Sequence, residues 1–240
     1  MYMLKSKDQT TAALSMFKAE AENSVGEKIK VLRSDRGGEF LSGVFAGICE
    51  TAGIRRQLTA PYTPQQNGVV ERRNRTVVEM ARTMMKSMNV PGKYWGEAVR
   101  HAIYLLNRLP TKALQEKTPY ECWVGRRPHL GHLKVFGCLA HMKITTPHLK
   151  KLDDRSQKVV YLGVEEGSKA HRLLDPLKNK IHVSRDVKFE EGVRWSWGDK
   201  NVRVEEFQVE GEFVESVTNW FDQNVAGVLP AQTTADASGQ

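Results

Sequence analysis

The sequence has few cysteines, no long apolar run and no internal repeat. Its three cysteines, Cys49, Cys122 and Cys138, are scattered and odd in number, which argues against a disulfide framework and fits a reducing compartment. No apolar run approaches the roughly 18 residues that a membrane-spanning helix needs, and the amino terminus lacks the pattern of a secretory signal. The composition therefore predicts a soluble protein with an intracellular location.

Acidic residues are scarce in the middle of the chain. The 240 residues carry a net charge of +8, and between positions 55 and 127 fourteen Lys and Arg face only five Asp and Glu. From position 199 onward the balance reverses, with eight acids against two basic residues. Because the positive charge is concentrated in one segment, the sequence predicts a polyanionic partner such as nucleic acid.

The spacing of apolar residues predicts an α/β arrangement followed by a β-rich segment. Helix-like periods alternate with short β-branched runs in the first part of the chain, and β-like runs separated by turns begin near position 133. The last residues are small and polar, which predicts a disordered tail. The predicted helices span 10–23, 42–51, 69–88 and 94–109, and the predicted strands span 29–34, 54–59, 135–138, 158–163, 171–174 and 180–183.

Two carboxylates stand at positions where a site can form. Asp35 ends a predicted strand, Glu71 lies in the first turn of the predicted long helix, and 35 residues separate them. Such ends can converge in a layered α/β fold, and Mg²⁺ prefers the carboxylate and phosphate oxygens that phosphodiester chemistry brings together. Alternatively, Asp35 begins a turn before two glycines, and Glu71 is a first-turn acid favoured by the helix dipole. The residues by themselves leave both interpretations open.

The flanking sequence carries a family resemblance. The runs LRSDRGGEF at positions 32–40 and PYTPQQNGVVER at positions 61–72 resemble the last two acidic motifs of integrase catalytic cores from copia-type retrotransposons. The resemblance implies an RNase H-like core with a mixed sheet and helices, and DNA strand transfer with Mg²⁺ or Mn²⁺ as the cofactor. Asp35 and Glu71 would be its catalytic and metal-binding residues.

The same resemblance implies partners and a location. The expected partners are element ends and target DNA, with a homo-oligomer and no membrane association. The expected location is nuclear when chromosomal DNA is the target, and otherwise a cytoplasmic particle.

The likeness continues beyond the two acidic motifs. The runs TPYECWVGRRP at 118–128 and LKVFGC at 133–138 are similar to the segment after the core in the same polyproteins, and SRDVKF at 184–189 resembles the SH3-like module that follows. The resemblance therefore implies three parts. These are a truncated integrase core over 1–128, a small all-β SH3-like module over 129–191 and a disordered acidic tail over 192–240.

One departure from the family bears on activity. In the family, the first catalytic acid lies on an earlier strand. Asp8, the acid that precedes the first predicted helix here, does not match that position, because it follows a strand-like segment and does not end a strand. We therefore expect impaired strand transfer. The alternative is a catalytically dead nucleic-acid-binding remnant or interaction module.

A polar stripe on the predicted long helix is the candidate DNA-binding surface. Basic side chains next to Glu71 would meet phosphates, whereas ion pairs such as Glu71 with Arg75 would make the same stripe an ordinary solvated face. In the loop before this helix, two roles are equally open for Asn67: a contact with DNA, or a turn formed with Gly68. The predicted DNA-binding residues are Asn67, Arg72, Arg73, Arg75, Arg82 and Lys86.

A second metal site is also conceivable from spacing. His129, His132, Cys138 and His141 have ligand-like separations that zinc sites use. Cys138, however, falls in an apolar β run, so a linker and strand role competes with the zinc site.

Overall fold

The computed structural model describes residues 2–4, 6–60, 68–145, 150–151 and 153–197. The predicted disordered tail lies outside these residues from position 198 onward, and so does Asn67. The described residues divide into two compact units, with the boundary between Arg73 and Asn74. No helix in the described ranges is long and apolar enough to cross a membrane.

The first unit contains three helices, two strands and the beginning of a fourth helix. The first helix, both strands and the helix over 42–51 were predicted closely, whereas the short helix over 38–41 was not predicted. Ser42 separates these two helices and caps the second one by accepting a hydrogen bond from Phe45 N at 3.3 Å. The elements are α1 (Thr10–Val25), β1 (Val31–Ser34), α2 (Gly38–Leu41), α3 (Gly43–Thr51) and β2 (Arg55–Leu58).

The two strands of the first unit pair in parallel. The register runs from Val31 opposite Arg55 to Ser34 opposite Leu58, so both strands end at the same edge. Burial of apolar side chains from the helices and strands stabilises the unit. This core consists of Leu14, Ile29, Leu32, Phe40, Phe45, Cys49 and Ile54.

The long helix α4 (Gly68–Ser87) is amphipathic, as its sequence pattern predicts. Its buried residues are Val70, Val77, Ala81 and Met85. Met85 follows Ala81 by four residues, which keeps it on the same side of the helix. The opposite stripe is exposed and polar.

The second unit contains the rest of α4, two further helices and an antiparallel sheet. The sheet has the strand order β6-β5-β4-β3-β7, and these five strands, residues 138–194, are called the β module below. The elements are α5 (Trp95–Leu106), α6 (Pro119–Val124), β3 (Cys138–Lys143), β4 (Ser156–Glu165), β5 (Ala170–Asp175), β6 (Lys180–Ser184) and β7 (Val187–Arg194).

The predicted strand over 135–138 is wrong in its bounds. The chain turns at Phe136 and Gly137, and the strand begins only at Cys138. Gly137 has a φ of 83°, and a Cβ there would lie 2.6 Å from the Val90 side chain. A positive φ and this close approach require glycine, and the backbone turns there instead of continuing as a strand, although Gly137 N still donates to the Tyr161 carbonyl at 2.8 Å.

Helix α5 packs against the β module through a glycine. Gly163 in β4 has a φ of 132°, and a Cβ there would lie 2.9 Å from Nδ1 of His101 in α5. Beside this contact, Arg172 in β5 donates to both carboxylate oxygens of Glu97 at 2.7 and 2.8 Å and to Glu165 at 2.6 Å. Close packing and this charged network together hold the helix on the sheet.

Candidate active site and nucleic-acid interface

Asp35 lies directly after β1, at the edge where both parallel strands end. Its Oδ1 accepts a hydrogen bond from Gly37 N at 2.8 Å, which is the turn contact that the simpler interpretation predicted. Its Oδ2 has no hydrogen-bond or ion-pair partner among the described residues. The side chain is half-buried. Asp35 is thus held in place by one carboxylate oxygen and can bind a ligand with the other.

Glu71 lies in the first turn of α4, as predicted. The side chain is exposed and forms no ion pair with any residue that the structure describes. Asp35 and Glu71 belong to the same compact unit. The segment 61–67, which leads from β2 to this helix, lies outside the described residues.

The donor chemistry of these two acids fits a hard divalent cation, but their number is low. Carboxylate oxygens are the ligands that Mg²⁺ prefers. Within the described ranges, no group of three or more His, Cys, Asp or Glu side chains is placed to hold a metal ion. The described part of the chain therefore offers two carboxylates, Asp35 and Glu71, and no completed metal centre.

The zinc interpretation of the histidine-rich segment is wrong for the described residues. His132 Nε2 is bonded to the Tyr104 hydroxyl and His141 Nε2 to Glu190 Oε1, each at 2.7 Å. Cys138 is fully buried in the sheet, and burial raises its thiol pKa to about 12. A protonated thiol in an apolar core is a poor zinc ligand. Cys138 is therefore a core residue of the strand, as the alternative interpretation predicted.

Three basic side chains of α4, Arg75, Arg82 and Lys86, are exposed and lie along one stripe. They form no ion pair with a described residue, so the pairs with Glu71 and Glu79 that the alternative interpretation requires are not formed there. Arg72 donates its Nε to the Gly68 carbonyl at 3.0 Å, and Arg73 is half-buried. The stripe retains its positive charge, as a phosphate-binding surface requires.

A second basic surface was not predicted from the sequence. His141 in β3 lies opposite Lys158 of β4 on one side and Lys188 of β7 on the other, so the three share the outer face of the sheet. Lys143 follows His141 by two residues and shares that face. These exposed residues, Lys143, Lys158 and Lys188, are called the lysine face below.

The lysine face carries little compensating charge. Glu190 contacts His141, but none of the three lysines forms an ion pair with a described residue. Two strand spacings place Lys158 and Lys188 about 10 Å apart. The available signal was the alternation of His141 and Lys143 with apolar residues in β3 and of Lys188 with its apolar neighbours in β7. The strand register that aligns these residues with Lys158 was not visible in the sequence.

Comparison with known proteins identifies a matching domain family and similar polyproteins. Residues 138–203 match the family described as the retroviral polymerase SH3-like domain. The Pol polyprotein of transposon TNT 1-94 from Nicotiana tabacum is 42% identical over 204 residues, covering 85% of this chain and 15% of that protein. The chain is similar to copia-type retrotransposon Pol polyproteins over most of its length.

Another polyprotein and a solved structure are also similar to parts of this chain. The Pol polyprotein of transposon RE2 from Arabidopsis thaliana is 36% identical over 191 residues, covering 80% of this chain and 13% of that polyprotein. The chain thus spans a small part of the length of its Pol relatives. Among solved structures, the magnesium complex of the HTLV-2 integrase catalytic core, in a trimeric form, is 23% identical with a TM-score of 0.35, covering 48% of this chain and 69% of that one.

Proposed function

We propose that this chain is an integrase segment that carries two of the metal-binding acids of a DNA strand-transfer site together with nucleic-acid-binding surfaces. The observation that carries the proposal is that both carboxylates have oxygens available to bind a ligand. Asp35 keeps one carboxylate oxygen uncommitted after β1, and Glu71 is uncommitted at the start of α4, within one compact unit of a chain similar to Pol polyproteins. The proposed core is 1–128, with the module over 129–191 and the tail over 192–240.

Each residue has a distinct role in the proposed reaction, in which a DNA 3′-hydroxyl attacks a target phosphodiester. Asp35 and Glu71 would hold Mg²⁺ or Mn²⁺, which supplies activation of the attacking oxygen and charge stabilisation at the phosphate. The Gly37 N–H fixes the Asp35 carboxylate before any ligand arrives, since it occupies Oδ1. Arg75, Arg82 and Lys86, together with Arg72, Arg73 and Asn67, are proposed to bind DNA phosphates.

A second candidate function is nucleic-acid binding without catalysis. Two observations favour it. No three-ligand group occurs in the described part, and Arg75, Arg82 and Lys86 of α4 and the three lysines of the lysine face form no ion pair with a described residue. A two-acid site would bind metal weakly and leave strand transfer impaired, while phosphate contacts would persist. We place both functions on DNA in the nucleus, or in a cytoplasmic particle, and expect a homo-oligomer.

The two functions are separated by assaying binding and joining on the same preparations. Purified chain and the variants Asp35→Asn and Glu71→Gln are incubated with element-end duplex and Mg²⁺ or Mn²⁺, while DNA affinity is followed by fluorescence anisotropy. We expect little or no joining by any of them, with DNA affinity retained in all three. Efficient joining that Asp35→Asn abolishes would contradict impairment, whereas absence of DNA binding would exclude both functions.

Metal binding is tested separately. Electron paramagnetic resonance of added Mn²⁺ reports the bound fraction directly. Asp35→Asn and Glu71→Gln should each lower Mn²⁺ binding, and Glu79→Gln, on the same helix, should not. Equal binding by all variants would exclude the proposed pair as ligands.

A further inference from the structure

The side chain of Arg36 links the ends of the two parallel strands next to Asp35. Its Nε donates to the Thr59 carbonyl at 3.0 Å. Thr59 follows β2 directly, is buried, and donates its own N–H to the Ser34 carbonyl at 3.0 Å, which extends the β1–β2 ladder. Arg36 therefore bridges the strand edge where Asp35 emerges.

The Thr59 contact uses one donor of the guanidinium and leaves the others available. Arg36 is exposed, and its Nη1 and Nη2 have no hydrogen-bond or ion-pair partner in the part of the chain that the structure describes. An anchored Nε fixes the plane of the guanidinium, so little side-chain entropy remains to be lost on binding. The outer edge then presents parallel N–H groups to an incoming oxygen pair.

The neighbouring residue Asp35 makes this arrangement suitable for a phosphate. Asp35 and Arg36 are adjacent in the chain, yet they form no ion pair with each other, and Asp35 is instead turned into its contact with Gly37. An uncommitted carboxylate oxygen and an uncommitted guanidinium edge on adjacent residues suit a phosphate whose oxygens must be bound by a cation and by N–H donors together.

We propose that Arg36 is a DNA-phosphate-binding residue of the strand-transfer site, prepositioned by Thr59 so that its outer N–H groups contact non-bridging oxygens of the phosphate next to Asp35. This role rests on the proposed function. The competing role is structural, in which the Nε contact with Thr59 merely ties the strands together.

The variant Arg36→Gln separates these roles, because glutamine can still donate to the Thr59 carbonyl but carries no charge. The matched control is Arg55→Gln. Arg55 is an exposed arginine at the other end of the same parallel pair, opposite Val31. Affinity for a DNA duplex is measured by fluorescence anisotropy between low and moderate salt in the presence of Mn²⁺.

We expect Arg36→Gln to weaken binding about fivefold and to reduce the slope of log affinity against log salt by about one, because one phosphate contact is lost. Arg55→Gln should leave the slope unchanged. A slope for Arg36→Gln equal to that of the wild type, or losses equal to those of Arg55→Gln, would overturn the proposal. Arg36→Lys, which keeps the charge, serves if the glutamine variant fails to fold by circular dichroism, and should keep the slope.

Failure of this inference can be told from failure of the proposed function by a double-mutant cycle with Asp35→Asn. If the two residues bind one phosphate region, the effect of Arg36→Gln in Mn²⁺ should shrink in the Asp35→Asn background. Additive effects would overturn the shared site. Unchanged Mn²⁺ binding by Asp35→Asn alone would instead reject the metal site of the proposed function.

Discussion

At the residue scale, His101 is a buried histidine that the proposed chemistry does not use. It is 2% exposed, its Nδ1 has no hydrogen-bond partner among the described residues, and it packs between the rings of Tyr104, Phe136 and Tyr161. Burial lowers the pKa of His101 to about 4, with a further contribution from His132. The neutral ring is therefore part of the contact between α5 and β4.

This buried ring should make stability depend on pH. Because the folded pKa of His101 lies below its unfolded value near 6.5, the unfolded state binds the proton more tightly. Stability is full above about pH 6.5 and falls as the pH approaches 4, by about 3 kcal/mol for a shift of this size. Burial also lowers the pKa values of His132 and His171, which act in the same direction.

The measurement is urea unfolding at pH 4 to 7.5 for the wild type, His101→Phe and the control His129→Gln. His129 is exposed and acts only through its contribution to the lowered pKa of His132, so its replacement should change the pH dependence much less than His101→Phe does. His101→Phe should flatten the curve by retaining an apolar ring without a titrating group. An unaltered pH dependence in His101→Phe would rule out this residue as the cause.

At the element scale, some helices and strands could be predicted from the local sequence pattern, whereas others depend on contacts between residues distant in the chain. Helices α1 and α4 and the loop position of Asp35 follow from periodicity and turn chemistry, which depend on neighbours in sequence. The start of β3 does not follow from local sequence, because it depends on the close approach of Gly137 to the side chain of Val90, which is distant in the chain. The placement of Asp35 and Glu71 on a strand end and a helix start was predictable, but their three-dimensional relation depends on tertiary packing.

The lysine face illustrates the same limit and gives a prediction. Lys158 and Lys188 become neighbours only because β3 lies between β4 and β7. If the face binds DNA phosphates, the triple variant Lys143→Gln, Lys158→Gln and Lys188→Gln should reduce the salt slope of DNA binding by about three and weaken the affinity by more than tenfold.

The control removes the same charge from elsewhere in the β-rich unit. Lys169, Lys178 and Lys180 are exposed and lie at the hairpins that flank β5. Their triple replacement by glutamine should change the slope by much less than three. Equal slopes for the two triple variants would mean that only net charge matters and that the lysine face is not a contact surface.

At the scale of the whole molecule, the matched family segment and the compact unit do not coincide. The SH3-like match begins at residue 138, whereas the unit that contains the β module begins at Asn74 and includes α5. Helix α5 buries Ala98, Val99 and Ala102, and its Glu97 pairs with Arg172 where both side chains are less than one-fifth exposed. The β module thus depends on a helix that precedes it.

This dependence predicts how fragments behave. A fragment of residues 138–203 would expose the face of β4 that α5 covers and would leave Arg172 with only Glu165 as a partner, and loss of one partner from a buried ion pair costs about 3 kcal/mol or more. We expect that fragment to aggregate or to unfold at low urea, and a fragment of residues 88–203 to unfold cooperatively. Glu97→Gln in the longer fragment should lower its urea midpoint, while Glu116→Gln, an exposed acid outside the network, should not. Well-dispersed NMR spectra from the shorter fragment, at a stability equal to the longer one, would show that the module folds independently of α5.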